Sequence, residues 1–439
     1  MGDPINTSRT SGFELPEEGK EIITRNSHFA ARNVTYDALV LDGSLRQSLA
    51  TVRSLGSRGL RVAALETFDS GGVPTFSSRW CQQRFVCPAK HGTEAYLTYL
   101  EQLLDHISVR VLIASSDGTI GLIRQHREQL ERRVRIALAK EPALGIAINK
   151  ERTLEVAKRL GVGVPRAVTV GAVSEVAAAL HEIGLPAVVK PVQSWAWDGQ
   201  QGTRIVSQLV TTPDEARRAV EKLTRFGGAI LFQEVLSGRR ESISLFYANG
   251  EIYARFAFWG KRTNPPLGGL YTLRQAIAFP PDTGEQAERL VREIGLEGYS
   301  QVEFRRDAVG KPYLMEINPR LNLAIAHAVH AGVDFPSLLY QWASGEQLER
   351  VKSYRTGGWM RHLEGDIRAT VAAVRQRGRP GVPSPARAIF DFCLSFFLPM
   401  KYDYVDWRDP LPAWTATKGF FAHYWSRLPG RRLSRRKSQ

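Results

Sequence analysis

Residues 299–322, YSQVEFRRDAVGKPYLMEINPRLN, constrain this chain more than any other stretch. Ser300, Val302 and Phe304 alternate along a first run, residues 307–310 form a turn signal ending in glycine, and residues 313–317 alternate again. That pattern predicts a β-hairpin. Side chains two residues apart share a strand face, so Glu316 and Asn318 point the same way. In the simplest register Glu303 lies across from them. Three oxygen donors converging on one spot suit a hard cation such as Mg2+. Taken by itself, the stretch is equally compatible with an amphipathic hairpin whose carboxylates are solvated. The rest of the chain decides between the two.

At 439 residues the chain is long enough for two or three domains, each with its own core. Its composition, 43% apolar and 23% charged, is that of a soluble globular protein. Cys81, Cys87 and Cys393 show neither metal-ligand pairing nor a disulfide framework, which suits a reducing cytoplasm. Residues 1–33 lack an apolar core and are expected as a disordered tail, not a signal peptide. No run approaches the roughly 20 apolar residues of a transmembrane segment.

Net charge is +15, from 59 Lys and Arg against 44 Asp and Glu. Part of the excess is a basic tail at residues 427–437, with five arginines and Lys437. Such a tail is either a solvated end or a segment drawn to an anionic surface, giving peripheral membrane contact. Neither a zinc finger nor an RNA-binding signature nor an internal repeat accompanies it, so nucleic acid is not an expected partner.

In chain order, residues 36–42 predict a buried strand, 45–55 a helix and 60–65 a second strand. A helix at 93–106, a strand at 109–114, a helix at 119–131 and a strand near 134–139 follow. This is a parallel α/β arrangement with Rossmann-like wiring. No GxGxxG follows the first strand, so a dinucleotide is not indicated. Asp42, Ser44, Arg46, Ser116 and Asp117 fall at strand ends, where open α/β sheets bind ligands; capping explains most residues of this kind.

Further on, Lys150 stands before a helix at 151–160, and Lys190 closes the apolar run 185–191 just before a polar, glycine-bearing loop at 193–202. A lysine in the latter position brings an ammonium to a phosphate chain, or marks the exposed end of a strand. Strand 229–234 runs into Gln233, Glu234, Val235 and Leu236, a connector between two lobes, and Glu241 opens the next strand. A strand at 252–258 leads to a basic Gly/Pro loop, 261–269, that contains Arg262. Helices at 286–294, 323–331 and 336–344 flank the hairpin.

The ordered spacing of these residues resembles an ATP-grasp enzyme, in the branch of carboxylate–amine ligases and carbamoyl-phosphate-synthase-like domains. The resemblance covers residues 34–345 and is most specific over 149–345. It rests on Lys150, Lys190, the Gln233-Glu234 hinge, Glu241 seven residues after Glu234, and Glu316 thirteen residues after Glu303 within Glu-Ile-Asn-Pro-Arg320. It implies an α/β chain, α+β in its ATP-binding part, with the ATP-grasp fold. The implied domains are a disordered tail at 1–33, a Rossmann-like pre-ATP-grasp domain at 34–145, an ATP-grasp domain of two lobes at 146–350, and a C-terminal helical appendage with its basic tail at 351–439. It further implies that Lys150 and Lys190 hold ATP phosphates. Gln233, Glu234, Val235 and Leu236 would face the adenine, and Glu241 the ribose. Glu303, Glu316 and Asn318 would bind Mg2+ (or Mn2+). Arg320 would contact the γ-phosphate or the carboxylate being activated, with Arg262 and Asn318 beside it in a catalytic role.

The implied reaction joins a carboxylate to an amine, both small molecules such as amino acids, through an acylphosphate, with release of ADP and phosphate. A bicarbonate-phosphorylating carboxylase or carbamoyl-phosphate-type enzyme, and an ATP-binding protein without catalysis, are the rivals. A cytoplasmic homodimer is the implied setting. Two departures stand out. Trp195 and Trp197 occupy a loop where the family has small residues, either as a hydrophobic gate or, the favoured reading, packed on the adjacent lobe. Gln301 stands where some relatives place an arginine. Residues 352–439 are expected as an appendage docked on the core, the alternative being an interfacial surface with Phe396, Phe397 and the basic tail near anionic lipid.

Overall fold

The structure is a computed structural model that describes residues 34–67, 72–198, 201–379 and 381–425. The two expected tails, at 1–33 and 427–437, lie outside the described residues. Three sheets and one small hairpin organise the chain.

The first sheet is parallel, in the order β3-β2-β1-β4-β5, from β1 (Thr35–Val40), β2 (Val62–Glu66), β3 (Cys81–Val86), β4 (Ser108–Ile113) and β5 (Arg135–Ile136). β1 and β2 read as apolar runs because helices cover both faces, which leaves Leu39, Val40, Val62 and Leu65 without solvent exposure. The strand order reverses between β1 and β4, the place where open sheets form a crevice. Asp42 stands there with φ 59°, a left-handed backbone that aspartate tolerates better than most residues. Its carboxylate accepts the Ser115 and Ser116 N–H groups and the Thr119 hydroxyl, tying the ends of β1 and β4 together. The expected helix at 119–131 is two, Asp117–Gln125 and Arg127–Glu131, broken at His126.

The second sheet is antiparallel, in the order β10-β7-β11-β6, from β6 (Ala167–Val170), β7 (Ala187–Pro191), β10 (Gln208–Val210) and β11 (Ile230–Glu234). Helices Val176–Ile183 and Pro213–Thr224 pack on one face through Val170, Val189 and Phe232. Full burial of a side chain such as Phe232 is worth about 2–3 kcal/mol. Between β7 and β10, β8 (Trp195–Asp198) and β9 (Gln201–Arg204) form a separate hairpin where a loop was expected.

The third sheet has seven strands, in the order β16-β15-β12-β13-β14-β17-β18. Its members are β12 (Arg240–Ala248), β13 (Glu251–Asn264), β14 (Leu270–Ile277), β15 (Gly298–Arg306), β16 (Pro312–Asn318), β17 (Trp359–Arg361) and β18 (Met400–Tyr402). β17 pairs with β14, and β18 pairs with β17, so two short segments of the C-terminal region extend this sheet. β13 runs six residues beyond the expected strand end and takes in Arg262.

Candidate active site

The hairpin forms as expected, and its register places Glu303 directly opposite Glu316, and Gln301 opposite Asn318. A bulge after Glu303 absorbs one residue of β16, which keeps Glu316 and Asn318 on the Glu303 side. Asn318 Nδ2 lies 3.4 Å from Glu316 Oε1. Glu303 Oε2 accepts Arg240 Nη2 at 2.9 Å and the Tyr271 hydroxyl at 3.3 Å. Burial pushes the Glu303 carboxyl above the usual carboxylate range; Glu316 adds to the push, and Arg240 offsets only part of it. Burial pushes Glu316 the same way, but Lys150, Lys190 and Arg240 outweigh it and hold Glu316 below that range.

Two facing carboxylates, one of them destabilised as an anion, together with an amide oxygen, fit a hard dication. Among the described residues no group of three or more His, Cys, Asp and Glu side chains could hold a metal. An ion held by Glu303, Glu316 and Asn318 would therefore take the rest of its shell from a ligand and water.

Lys150 is the first residue of the helix Lys150–Arg159, capped by Asn149, whose side chain accepts the Arg152 N–H. This helix packs on β16, and Lys150 Nζ reaches Ser194 Oγ at 2.9 Å and Glu316 Oε2 at 3.7 Å. Lys190 is the last residue but one of β7 and is buried; burial first, then the Lys150 charge, lower its ammonium to about 8, while Glu316 resists. Lys190 pairs with Leu231 and Val188 with Gln233, so Lys190 and Gln233 share the face turned away from the helices of the second sheet. The Gln233 amide is completely buried, and neither its oxygen nor its nitrogen has a hydrogen-bond partner. A buried amide left in that state costs about 1–3 kcal/mol, which a ligand with matching donor and acceptor would recover. The Glu234 carboxylate is engaged by the Arg166 N–H at 2.8 Å and its Nε at 3.0 Å, so backbone groups are what the 234–236 hinge has left to offer.

Two sequence assignments need correction. Glu241 does not face this cleft. Ser242 pairs with Glu303 and Arg240 with Arg305, so it is Arg240 and Ser242 that share the face of the carboxylate pair. Glu241 points to the other side, fully buried, where Arg239, Arg306 and the Thr283 hydroxyl hold it. Arg262 is likewise elsewhere. It makes two 2.6 Å bonds to Asp366 and reaches the Asp391 carbonyl and the Ser395 hydroxyl, all in the C-terminal region. A single-residue register decides the first case, and a partner a hundred residues away decides the second; neither shows in local sequence.

Arg320 lines the same cavity as Asn318, and its Nε lies 2.5 Å from Asp117 Oδ1, at the start of the helix Asp117–Gln125. Asp117 was named at a strand end; Arg240, Arg124 and Glu141 were missed, having no motif to mark them. A cavity of about 440 Å³ opens at this junction, lined by Asp117, Arg124, Glu141, Lys150, Glu316 and Arg320 among others. Trp195 also lines it. Its ring packs on Gly118 and Gly92 so closely that a Cβ at either position would lie within 2.5 Å or 2.7 Å of a ring atom. Trp195 thus packs on the helix Asp117–Gln125 and the turn at Gly92, as the favoured reading of packing on an adjacent lobe expects, and at the same time forms part of the cavity wall. The Trp197 side chain lies outside the described residues.

A four-stranded antiparallel sheet and a larger one, meeting over two lysines and a carboxylate pair behind a Rossmann-like sheet, make up the ATP-grasp fold. A family model described as ATP-grasp in the biosynthetic pathway with Ter operon matches residues 228–365. The D-alanine–D-alanine ligase of Chromohalobacter salexigens is 26% identical over 216 residues, 45% of this chain and 64% of that protein. The chain thus spans just under two thirds of that relative. The biotin carboxylase domain of the Hydrogenobacter thermophilus 2-oxoglutarate carboxylase superposes with a TM-score of 0.57 at 16% identity, over 74% of this chain and 73% of that one. An L-amino acid ligase from Bacillus licheniformis superposes with a TM-score of 0.54 at 18% identity, over 71% and 75%. Over residues 228–365 the chain is thus similar to an ATP-grasp family, and its fold is that of ATP-grasp structures.

Proposed function

We propose that this chain is an ATP-dependent ligase that activates a small carboxylate as its acylphosphate and joins it to an amine, releasing ADP and phosphate. The observation that carries this reading is Glu303 set opposite Glu316, with Lys150 within 3.7 Å of Glu316 and Lys190 buried beside them. Lys150 and Lys190 bind phosphate oxygens, Gln233 and the hinge backbone at Val235 and Leu236 take the base, and Glu303, Glu316 and Asn318 hold Mg2+ or Mn2+. The metal, when bound, neutralises phosphate charge and orients the transferred group. Arg320 orients the acceptor carboxylate, a role that Asp117 tunes by fixing the guanidinium plane. Trp195 covers the cavity and keeps water from a reactive acyl group. These roles support one another because a carboxylate repels an incoming amine until its charge is masked.

The cavity lining carries both signs, with Arg124 paired to Glu141 at 2.6 Å and Arg320 paired to Asp117. Such a lining suits zwitterions, so amino acids are the substrate class we favour, in a cytoplasmic setting that supplies ATP. ADP release measured with pairs of amino acids and other carboxylates, with bicarbonate run separately, tests this. Turnover with bicarbonate alone would replace the ligase reading with a carboxylase. Glu316→Ala should stop ADP formation while leaving the melting profile cooperative, and unchanged turnover in that variant would remove the metal assignment.

A further inference from the structure

The C-terminal segment concentrates outward-turned apolar side chains. In the helix Pro385–Leu394 only Ala388 is buried. Its inner side is pinned by Arg361, whose guanidinium sits 4.5 Å and 4.2 Å from the Phe392 and Phe396 rings. The outer side carries Ile389, Phe390 and Leu394, and Phe397 continues the stripe at helical spacing, 64% exposed at Phe390 and 84% at Phe397. An amphipathic helix of a globular protein normally faces such a stripe inward. Here it faces solvent.

The helix Leu411–Trp425 repeats the feature. It has no acidic residue and only Lys418 and His423 as basic ones, so it is apolar nearly all round. One side rests on residues 74–77, with Thr415 bonded to Ser77, while Leu411, Trp414 and Phe421 are exposed. Trp407, just before it, is 88% exposed. A helix of this kind belongs in a core or at a lipid surface. Fifteen residues rise only about 22 Å, short of the roughly 30 Å hydrocarbon core. Among the described residues no helix is long and apolar enough to cross a membrane.

Charge selects the occupant. Arg387, Lys401, Arg408 and Lys418 are exposed in this region, against half-buried Asp391 (3.7 Å from Arg387) and Asp406, whereas Asp403 and Asp409 are withdrawn into buried ion pairs. After Asp409 the sequence holds no acidic residue, and six of its last thirteen residues are Arg or Lys. A second copy of the chain would bring two basic surfaces together and be repelled. An anionic surface would be attracted, and aromatic rings between cations suit the headgroup boundary.

We propose that residues 385–425 form an interfacial surface that seats this protein on an anionic lipid bilayer. The stripe of Phe390 and Phe397 and the ring of Trp414 enter the acyl boundary, and the arginines and lysines engage headgroup phosphates. The test is flotation of the full chain with vesicles of phosphatidylcholine alone and of phosphatidylcholine containing about one third phosphatidylglycerol. The expected result is partition onto the anionic vesicles, weakened several-fold by about 0.5 M salt. Phe390→Ser with Phe397→Ser should lower that partition about tenfold or more. These side chains are mostly exposed and do not line the cavity, so melting temperature and ADP formation should stay at wild-type values and show that the variant folds. Absence of binding to anionic vesicles, or binding that the double variant leaves intact, would overturn the proposal. So would a dimer in solution, seen by light scattering, that the double variant dissociates while vesicle binding is absent.

Discussion

Arg240 Nη2 stands 2.9 Å from Glu303 Oε2, so the residue beside Glu241, rather than Glu241 itself, faces the carboxylate pair. The Arg240 guanidinium also lies 4.5 Å over the Tyr271 ring and donates to the Gly269 carbonyl. This packing fixes the charge in place. Its consequence separates two neighbours that sequence spacing alone cannot separate. Glu241→Gln should lower stability, because a completely buried carboxylate then no longer compensates Arg239 and Arg306; breaking such a cluster costs about 3–5 kcal/mol. The KM for ATP in the fraction that folds should be unchanged. Arg240→Met should show the opposite split, a large loss of kcat with a modest change in melting temperature. A rise in KM for ATP in Glu241→Gln would restore the ribose assignment.

The gate over the cavity makes a second expectation. Gly118→Ala would put a methyl group 2.5 Å from the Trp195 ring, and a large ring held by its hairpin cannot yield by that amount without moving. The variant should retain the fold, since alanine is the better helix former at this position in the helix Asp117–Gln125. It should lose coupling instead. ADP formed per product formed should rise, as water reaches the activated acyl group. A coupling ratio equal to wild type would show that Trp195 is only a packing residue.

How much of this was legible in sequence depends on the range over which each feature is encoded. The hairpin was legible because alternation, turn and both carboxylates lie within about twenty residues of one another. Lys190 was legible because the strand and its end are one run. The helix Pro213–Thr224 went unassigned although its signals are local: Thr212 caps it, Pro213 opens it, and Asp214 and Glu215 fill its first turn. Arg262 and Glu241 were misplaced for the opposite reason. The first depends on how far β13 extends and on Asp366, and the second on a strand pairing with β15 that places residues 240 and 303 on one face. The role of the C-terminal region was illegible because three-residue strands such as β17 and β18 carry no periodicity to detect.

The first sheet holds a pH-sensitive clasp. His91 Nε2 lies 2.6 Å from Glu66 Oε1, and its Nδ1 lies 3.6 Å from Asp42. Burial alone would raise Glu66, but the His91 bond and the Ser44 and Thr67 N–H groups outweigh it and bring the carboxyl to about 2. Burial alone would lower His91, and the two carboxylates raise it. Glu66, depressed on folding, contributes stability above its ordinary value of 4.5 that is lost as pH falls toward 2. His91, raised on folding, contributes stability below 6.5 that is lost as pH climbs through its folded value. The clasp is therefore strongest between pH 4.5 and 6.5. Melting curves should show a decline above that window that His91→Gln removes. Parallel pH profiles for the two proteins would show that the contact adds nothing.

Asp403 ties the first sheet's helix layer to the third sheet. Its fully buried carboxylate meets Arg46, at the start of the helix Arg46–Ser57, and Arg274 on β14, itself almost fully buried. Two arginine charges hold Asp403 well below the usual carboxylate range despite its burial. Asp366 plays the same part for Arg262 and Arg361. Removal of such a partner leaves an uncompensated buried guanidinium, at a cost of about 3–5 kcal/mol, comparable with much of the stability of a typical domain. Asp403→Ala should therefore fold poorly or melt far below wild type, while Arg262→Ala, at the Asp366 cluster, should lose stability with its remaining soluble fraction still forming ADP. A chain ending at residue 350 should aggregate, because it loses β17 and β18 and bares the edge of β14 as well as Arg274. A soluble, active product from that truncation would mean that the region is a separable appendage after all.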